Sequence, residues 1–333
     1  MIVGSSLPGT WRPFSEDSPW NTLIPDDAAT HPDSDLIMNF INSRVSNIRF
    51  VNLFLTPIWV VNSDNALPVG TEPDPDRPMD LHWEHVQSRG NIFDAWDQDN
   101  DKISDVPIPL SKGTFPSPTG DGHFCIVDPF RKVSYEMSKH YGWEEDTPTC
   151  TTFNIWDLNG TGVGDPFEGT RWWTRGGKGS GFPLIAGILR PEEIEAGEIR
   201  HALTFSFGQN RRADNGDDIM MRGPACRSDG QNMGSKYPIE GMRFQLDPSL
   251  TDADFDSWGL NDDTKVIAQC LQKYGMYLGD NGGDMAIAVQ LLGATEEENR
   301  AEWDRLSPDL YKNIKKIPSE HFRVVYTGEP TTR

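Results

Sequence analysis

Short apolar runs separated by turn-forming residues recur along the middle and the end of the chain. Runs that alternate apolar with polar residues, or that are rich in β-branched and aromatic residues, predict β-strands. The predicted strands are GHFCIVD (122–128), KVSYEM (132–137), TTFNIWDL (151–158), RHALTFSFG (200–208), EGMRFQLDP (240–248), MYL (276–278) and one within IPSEHFRVVYTG (317–328). The linker PFRK predicts that the first two form a hairpin.

A further apolar run, FVNLFLTPIWVVN (50–62), contains a proline at position 57. Proline cannot donate a hydrogen bond to a neighbouring strand, so it is found at sheet edges and bends. This run therefore predicts one or two strands with an edge or a bend at Pro57.

Only one helix has a strong pattern, in the sequence NDDTKVIAQCLQKYG (261–275). Asp262 or Asp263 can cap its first turn, an apolar stripe follows with helical spacing, and Gly275 is a natural terminator. Weaker signals predict a short helix around residues 34–45 and a helical turn in RPEEIEAGEI (190–199).

These elements, with 31 glycines and 25 prolines scattered over 333 residues, predict a mainly β protein: an antiparallel β-sandwich or jelly-roll with one clear helix and long loops. One domain is expected over residues 1–333. Residues 1–48 are predicted to form an extended segment laid over it, and residues 64–105 an acidic loop region.

Charge narrows the class of partner. The chain has 51 acidic and 30 basic residues and a net charge of −21, which repels nucleic acids and anionic membranes, so neither is an expected partner. A neutral or weakly charged polysaccharide or oligosaccharide fits better, although acidity that serves only solubility is the alternative.

The beginning of the chain lacks a charged region followed by an apolar one, and no apolar run reaches the length of a membrane span. We interpret the sequence as the mature form of a secreted or periplasmic protein, with a cytoplasmic origin as the alternative. Of four cysteines, Cys125 and Cys270 are expected to be buried thiols. Cys150 and Cys226 are the predicted disulfide pair.

Two histidines are candidate acid or base groups. His123 enters a predicted strand that ends at Asp128, and the alternation of a strand directs these two side chains to opposite faces. His201 shares a face with three large apolar residues, so it lies either in the core or beside a substrate groove. For both histidines the alternative is a purely structural hydrogen bond.

A turn from helix to strand brings together Tyr274, Tyr277, Asp280 and Asn281. Tyrosine beside histidine suits β-elimination, whereas Asp280 and Asn281 could equally cap backbone groups. A second set combines tryptophans with polar groups on glycine-rich stretches, which suits the apolar faces and hydroxyls of sugars. That set is Trp143, Trp156, Asp157, Arg171, Trp172, Trp173, Arg175 and Lys178, with a core or rim role for most of the tryptophans as the alternative.

Metal signals are weaker. Asp97, Asp99, Asp101 and Asp105 have the alternate spacing of a calcium loop. An EF-hand, however, requires glycine where Lys102 stands. No cofactor is expected to be required, and structural calcium at these aspartates is the alternative.

Several motifs in fixed order resemble a family of secreted bacterial proteins, most of which have no assigned activity. They include FSEDSPWN (14–21), GDGHFCIVD (120–128), GEIRHALTF (197–205) and KYGMYLGDNGG (273–283). The resemblance covers most of the chain and implies an extracellular setting and a β-sandwich or jelly-roll scaffold. It highlights His123, Asp128, Tyr135, Glu136, Asp157, Arg190, Glu193, His201, Asp280 and Asn281.

The sequence predicts a carbohydrate-active enzyme that cleaves a polysaccharide, with a glycoside hydrolase favoured. Hydrolysis requires one protonated and one ionised carboxyl group, and the candidates are Glu136, Asp128, Asp157 and Asp280. A polysaccharide lyase is the first alternative. It would use His201 or His123 with Tyr274 or Tyr277, and Arg190 or Arg200 would neutralise a uronate. The second alternative is a non-catalytic carbohydrate-binding or surface interaction module.

Overall fold

The computed structural model describes residues 7–60, 81–88, 92–93, 103–111, 115–118, 121–138, 142–144, 147–150, 152–164, 176–216 and 218–332. The α-helices are α1 (Ser34–Asn42), α2 (Pro191–Glu195), α3 (Asp252–Ser257), α4 (Asp262–Lys273), α5 (Glu296–Leu306) and α6 (Leu310–Asn313), and Ile314–Lys316 and Ser319–His321 are short 3-10 helices. The strands are β1 (Arg49–Val60), β2 (Leu81–Ser88), β3 (Ile92–Phe93), β4 (Ile103–Ser111), β5 (Phe124–Asp128), β6 (Val133–Ser138), β7 (Gly142–Glu144), β8 (Thr147–Cys150), β9 (Thr152–Asp157), β10 (Leu203–Phe207), β11 (Met220–Met221), β12 (Arg243–Leu246), β13 (Met276–Asp280), β14 (Asp284–Leu291), β15 (Phe322–Val325) and β16 (Thr331–Thr332).

Ten of these strands form one mixed sheet. Their order across the sheet is β15, β12, β13, β10, β14, β1, β5, β6, β9 and β3. The pairs β1–β14, β1–β5, β10–β13 and β3–β9 are parallel, and the other five neighbouring pairs are antiparallel. A four-stranded sheet (β4, β2, β8, β7) and a two-stranded sheet (β11, β16) complete the described strands.

The predicted antiparallel sandwich or jelly-roll is therefore wrong, and the architecture is of the mixed α/β kind. Parallel neighbours require long connections and place strands with both faces covered in the centre of a sheet. Every residue of β5, β10 and β12 is buried. The sandwich prediction assumed that the alternation along β10 separates a core face from a solvent face. In the structure both faces of β10 are buried.

Locally patterned elements are confirmed. The hairpin of β5 and β6 pairs Phe124 with Met137 and Asp128 with Val133. Helix α4 buries a stripe that includes Ile267 and Leu271. Its cap is Asn261, one residue before the predicted aspartates, because the Asn261 side chain accepts the Thr264 N–H.

Other elements were missed for identifiable reasons. Strand β14 is flanked by glycines and begins in a polar turn, so its apolar run did not stand out. Helix α5 buries only Asn299 and Trp303, so its acidic sequence lacks an apolar stripe. The predicted acidic loop region, residues 64–105, contains β2 and β3 and the first residues of β4.

Pro57 lies inside a central strand rather than at an edge. It is the last residue of β1 in register with β14, opposite Leu291, and the next residue, Ile58, begins the pairing with β5. Its missing donor thus falls at the point where β1 passes from one partner to the other.

Substitution of Ile287 in β14 tests how much the centre of the sheet contributes to the free energy of unfolding. It is fully buried and lies opposite Phe50 and Phe205. We expect Ile287→Ala to lower the free energy of unfolding by about 2–5 kcal/mol in urea titration, because it leaves a cavity between strands. The exposed Leu36, changed to alanine, should alter it by less than about 0.5 kcal/mol. Equal effects of the two substitutions would contradict the described sheet centre.

Candidate functional site

A glycine-rich loop, residues 176–181, lies against the end of β13. The Ser180 N–H and hydroxyl both donate to the Gly279 carbonyl, at 3.1 and 2.6 Å. The Arg227 guanidinium donates to the carbonyls of Gly176, Lys178 and Gly179 at 2.6–3.2 Å. These bonds fix the backbone of the loop, so Lys178 has a defined position beneath it.

Below this loop, one face of the β5–β6 hairpin has polar side chains. Cys125 and Glu136 lie directly opposite each other in register, and His123 precedes Cys125 by two residues. Directly opposite residues of an antiparallel pair project to the same face. These side chains and that of Lys178 are all buried, with exposures of 0–3%.

Glu136 and Lys178 both bind the segment 184–186. The Glu136 carboxylate accepts the N–H groups of Leu184 and Ile185 at 2.6 and 2.9 Å, and the Lys178 ammonium donates to the carbonyls of Ala186 and Leu184 at 3.1 and 3.4 Å. Burial raises the pKa of Glu136 to about 7, although the two N–H groups oppose this. Burial lowers the pKa of Lys178 to about 8, against the attraction of Glu136 and Asp280.

His123 is a neutral ring in this environment. Burial lowers the pKa of His123 to about 4, with a further decrease from the Lys178 charge, while the exposed Asp121 and a hydrogen bond to the Gly177 backbone oppose the shift. A ring with so low a pKa is not a proton donor near neutral pH.

The part of the site nearest the surface is a group of three carboxyl side chains, the acidic rim: the exposed Asp229, the half-buried Asp280 and the buried Glu240 beside Asp229. Asp280 accepts N–H groups from Gly179 and Asn281, the latter at 2.9 Å. The Asp229 carboxyl also contacts Gly179, since a Cβ on that glycine would lie 2.7 Å from it. Asp280 is half-buried and Asp229 is exposed.

Burial and the neighbouring Asp229 charge together raise the pKa of Asp280 to about 7, although Lys178 and two backbone N–H groups lower it. Glu240 is fully buried, and burial, with Asp229 beside it, holds its pKa well above the ordinary range. It is fixed by the Asn210 side chain at 3.0 Å and by the Asp229 N–H at 3.2 Å. The rim thus combines proton-holding carboxyl groups with an exposed one.

His201 belongs to a different, sealed cluster. Its Nε2 lies 2.8 Å from the Glu193 carboxylate and its Nδ1 lies 2.9 Å from the Ala202 carbonyl. Both ring nitrogens therefore face acceptors within the chain. Burial would raise the pKa of Glu193, but the charges of His201 and Arg190 and their hydrogen bonds lower it.

Arg190 fastens the N-terminal segment to this cluster. Its guanidinium donates to the Trp11 carbonyl at 2.6 Å, pairs with Glu193 at 2.9 Å and lies over the Trp11 ring. All of this occurs with Arg190 only 2% exposed. Its contacts are therefore with the chain itself.

Several other predicted residues have local partners. Asp128 accepts the N–H groups of Phe130 and Arg131 and pairs with the Arg131 guanidinium at 2.6 Å, so it closes the β5–β6 turn. Asp157 is exposed and accepts the Asn159 N–H. Tyr277 donates its hydroxyl to the Pro19 carbonyl. Three more predicted site residues lie in the described part of the chain. Trp156 and Tyr274 are buried, and Asn281 is half-buried.

Part of the predicted site lies outside the described residues. This holds for Arg171, Trp172, Trp173, Arg175, Asp97, Asp99 and Asp101, and for the side chains of Asp105, Trp143 and Cys150. The calcium loop and the Cys150–Cys226 pairing therefore stay predictions. Within the described ranges, no group of three or more His, Cys, Asp or Glu side chains is arranged to hold a metal ion.

Sequence reasoning missed Asp229, Glu240 and the acid–base character of Lys178. Asp229 and Glu240 stand in segments without a motif, CRSDGQN and PIEGM. They meet Asp280 only because distant parts of the chain converge on Gly179. The glycines on both sides of Lys178 were the one available signal, since they let other groups approach the backbone closely.

Comparison of the chain with family models, curated proteins and solved structures finds no match. The resemblance to secreted bacterial proteins therefore stays a prediction. None of the described helices is both long and apolar enough to cross a membrane. The interpretation of the site rests on its own geometry.

The raised pKa of Glu136 predicts that the free energy of unfolding depends on pH. Between about pH 4.5 and 7, the folded protein keeps a proton on Glu136 that the unfolded chain releases, so stability falls as pH rises through this window. The slope from one such group is at most about 1.4 kcal/mol per pH unit. Urea unfolding at several pH values should give a shallower slope for Glu136→Gln, whereas the exposed Glu297→Gln should keep the wild-type slope. Indistinguishable slopes for all three proteins would disprove the assignment.

The contacts of Arg190 predict that it holds the N-terminal segment against the rest of the chain. We expect Arg190→Ala to increase chymotryptic cleavage after Phe14 by about tenfold, because the segment loses its buried anchor. Arg305→Ala, on the exposed face of α5, serves as the control. Cleavage at the wild-type rate in Arg190→Ala would show that other contacts hold the segment.

Proposed function

We propose that the protein is a glycoside hydrolase that acts on a polysaccharide, with Asp280 as the general acid and Asp229 as the base or nucleophile. The single observation that carries this is the pKa of Asp280, raised to about 7 by burial and by Asp229. Such a carboxyl group holds a proton at a pH where an ordinary aspartate is ionised, which is what protonation of a glycosidic oxygen requires.

The spacing of the two groups supports the assignment. Asp280 accepts the Gly179 N–H, and Asp229 packs against the position of a Gly179 Cβ. Contact with one common residue keeps the two carboxyl groups close together, as glycosidases require, since these enzymes place their carboxyl pair about 5–9.5 Å apart. Glycine is required between them, because a side chain at position 179 would occupy the place of the Asp229 carboxyl.

Glu240 supports Asp229 from below. Burial and the neighbouring Asp229 raise the pKa of Glu240 well above its ordinary value, which favours the protonated form, whose hydroxyl can donate to the Asp229 carboxylate while its other contacts hold it in place. A carboxylic acid kept neutral by burial is a hydrogen-bond donor. We assign Glu240 as a positioning residue for Asp229.

The contacts of the other candidates favour hydrolysis over elimination. His201 and Tyr277 are buried and bonded to Glu193 and to the Pro19 carbonyl. A lyase base and acid must reach the substrate. Among the six tryptophans whose side chains are described, Trp20, Trp59, Trp156 and Trp303 are buried and Trp11 and Trp258 are half-buried. None of these six offers the fully exposed ring that a binding module would use. A secreted or periplasmic setting remains part of this proposal.

The test is incubation with a panel of neutral and weakly charged polysaccharides. We expect new reducing ends without an unsaturated uronate chromophore, and a decrease of about 100-fold or more in kcat for Asp280→Asn and Asp229→Asn. Asp27→Asn, an exposed aspartate remote from the rim in sequence, is the matched control and should keep full activity. Cleavage that yields the chromophore would indicate a lyase, and retention without cleavage a binding module.

The pH profile gives a second readout. A general acid works in its protonated form, so activity should decline as pH rises above about 7, the pKa of Asp280. An alkaline limb unchanged in Asp280→Glu would argue against this assignment.

A further inference from the structure

Three buried polar side chains meet beneath the loop 176–181. They are Glu136 on β6, Asn154 on β9 and Lys178 in the loop, and each is at most 2% exposed. Glu136 and Asn154 lie directly opposite each other in register, so their Cβ atoms are about 5 Å apart on the same face. We call this set the buried trio. It lies apart from the acidic rim and is not used by the proposed hydrolysis.

Asn154 is held in an unusual state. Its Oδ1 accepts the Gly176 N–H at 3.2 Å, whereas its Nδ2 is buried and has no hydrogen-bond partner. An unpaired buried donor costs about 1–3 kcal/mol. The N–H group of Gly176 polarises the carbonyl of the amide, while nothing holds the amino group.

Lys178 is in a comparable state. Its Nζ donates to two carbonyls, but in the described part of the chain no carboxylate oxygen lies within ion-pair distance of it. Burial lowers the pKa of Lys178 to about 8, so a fraction of the buried amine is neutral and nucleophilic near neutral pH.

Two sets of contacts place the amine and the amide near Glu136. Gly176, which binds Asn154, precedes Lys178 by two residues, and Glu136 binds the Leu184 N–H while Lys178 binds the carbonyl of the same residue. Both reacting groups are therefore next to Glu136, whose raised pKa of about 7 suits a group that gives and takes a proton.

We propose that Lys178 Nζ and Asn154 Cγ form an intramolecular amide bond in the folded protein, with Glu136 as the proton carrier. The neutral amine attacks Cγ, and Glu136 moves a proton from the attacking nitrogen to Nδ2. The bond from Cγ to Nδ2 then breaks and ammonia leaves. One C–N bond is made and one is broken, so no oxidant or reductant is needed.

The product removes two unfavourable features at once. The buried ammonium becomes a neutral secondary amide, and the unpaired amino group departs as ammonia. The bond ties β9 to the loop that supports Asp280, and it constrains the unfolded chain as any cross-link does.

Intact-mass measurement of the purified full-length protein tests the proposal without any substrate. We expect a mass lower than the sequence mass by one ammonia, and a protease digest should contain a branched peptide that joins Asn154 to Lys178. Lys178→Arg and Asn154→Ala should each have their full sequence mass. Lys265→Arg, an exposed lysine on α4, is the control and should still lose ammonia.

Other outcomes are distinguishable. A wild-type mass equal to that of the sequence overturns the proposal. Loss of ammonia with only linear peptides also overturns it, because succinimide formation at an Asn–Gly pair such as Asn159–Gly160 gives the same mass change. Loss of water, with a branched peptide that joins Lys178 to Asp280, would show that the bond forms to Asp280 instead of Asn154. This result would also overturn the proposal. The Glu136→Gln variant should fold, but it should form the bond more slowly than the wild type. A wild-type rate of bond formation in this variant would show that Glu136 takes no part in the reaction.

Discussion

Burial of ionisable side chains against backbone partners is the constraint on which the centre of this protein depends. Glu136 and Lys178 bind opposite polar groups of the same short segment, 184–186. That segment has no regular secondary structure, so its peptide groups need partners when the ten-stranded sheet covers them. The two charged side chains supply these partners, and the low polarity of the interior then shifts their pKa values toward neutrality.

Burial shifts the pKa values of ionisable groups in two places, the buried trio and the acidic rim. In the buried trio it gives an amine and a carboxyl group of similar pKa. At the acidic rim it acts on Asp280, which is half-buried beside the exposed Asp229, and burial and the Asp229 charge oppose the ionisation of Asp280. The first arrangement suits a reaction within the chain and the second suits a reaction with an added substrate. The loop 176–181 joins them, since it provides both Lys178 and the Gly179 N–H.

The elements that sequence patterns predict are those whose signals are local. The β5–β6 hairpin, α4 and β13 have an unbroken apolar pattern and clear turn residues, and these segments also supplied His123, Glu136 and Asp280 as candidates. The fold class was wrong because it depends on which strands are neighbours. The parallel pairing of β1 with β14 joins residues near position 50 to residues near position 287, and no local pattern encodes that. Asp229 and Glu240 were missed for the same reason.

The histidines illustrate how a residue type can mislead. His123 and His201 were candidates because imidazole titrates near neutral pH, but burial lowers the pKa of the first, and Glu193 and a carbonyl occupy both nitrogens of the second. In the proposed function, carboxyl groups moved into the neutral range take the corresponding role. The most direct test is a carboxyl-carbon NMR titration of isotope-labelled protein, with Asp280→Asn used to assign the signal. A midpoint near pH 7 is predicted for Asp280, and a midpoint near 4 would contradict the account.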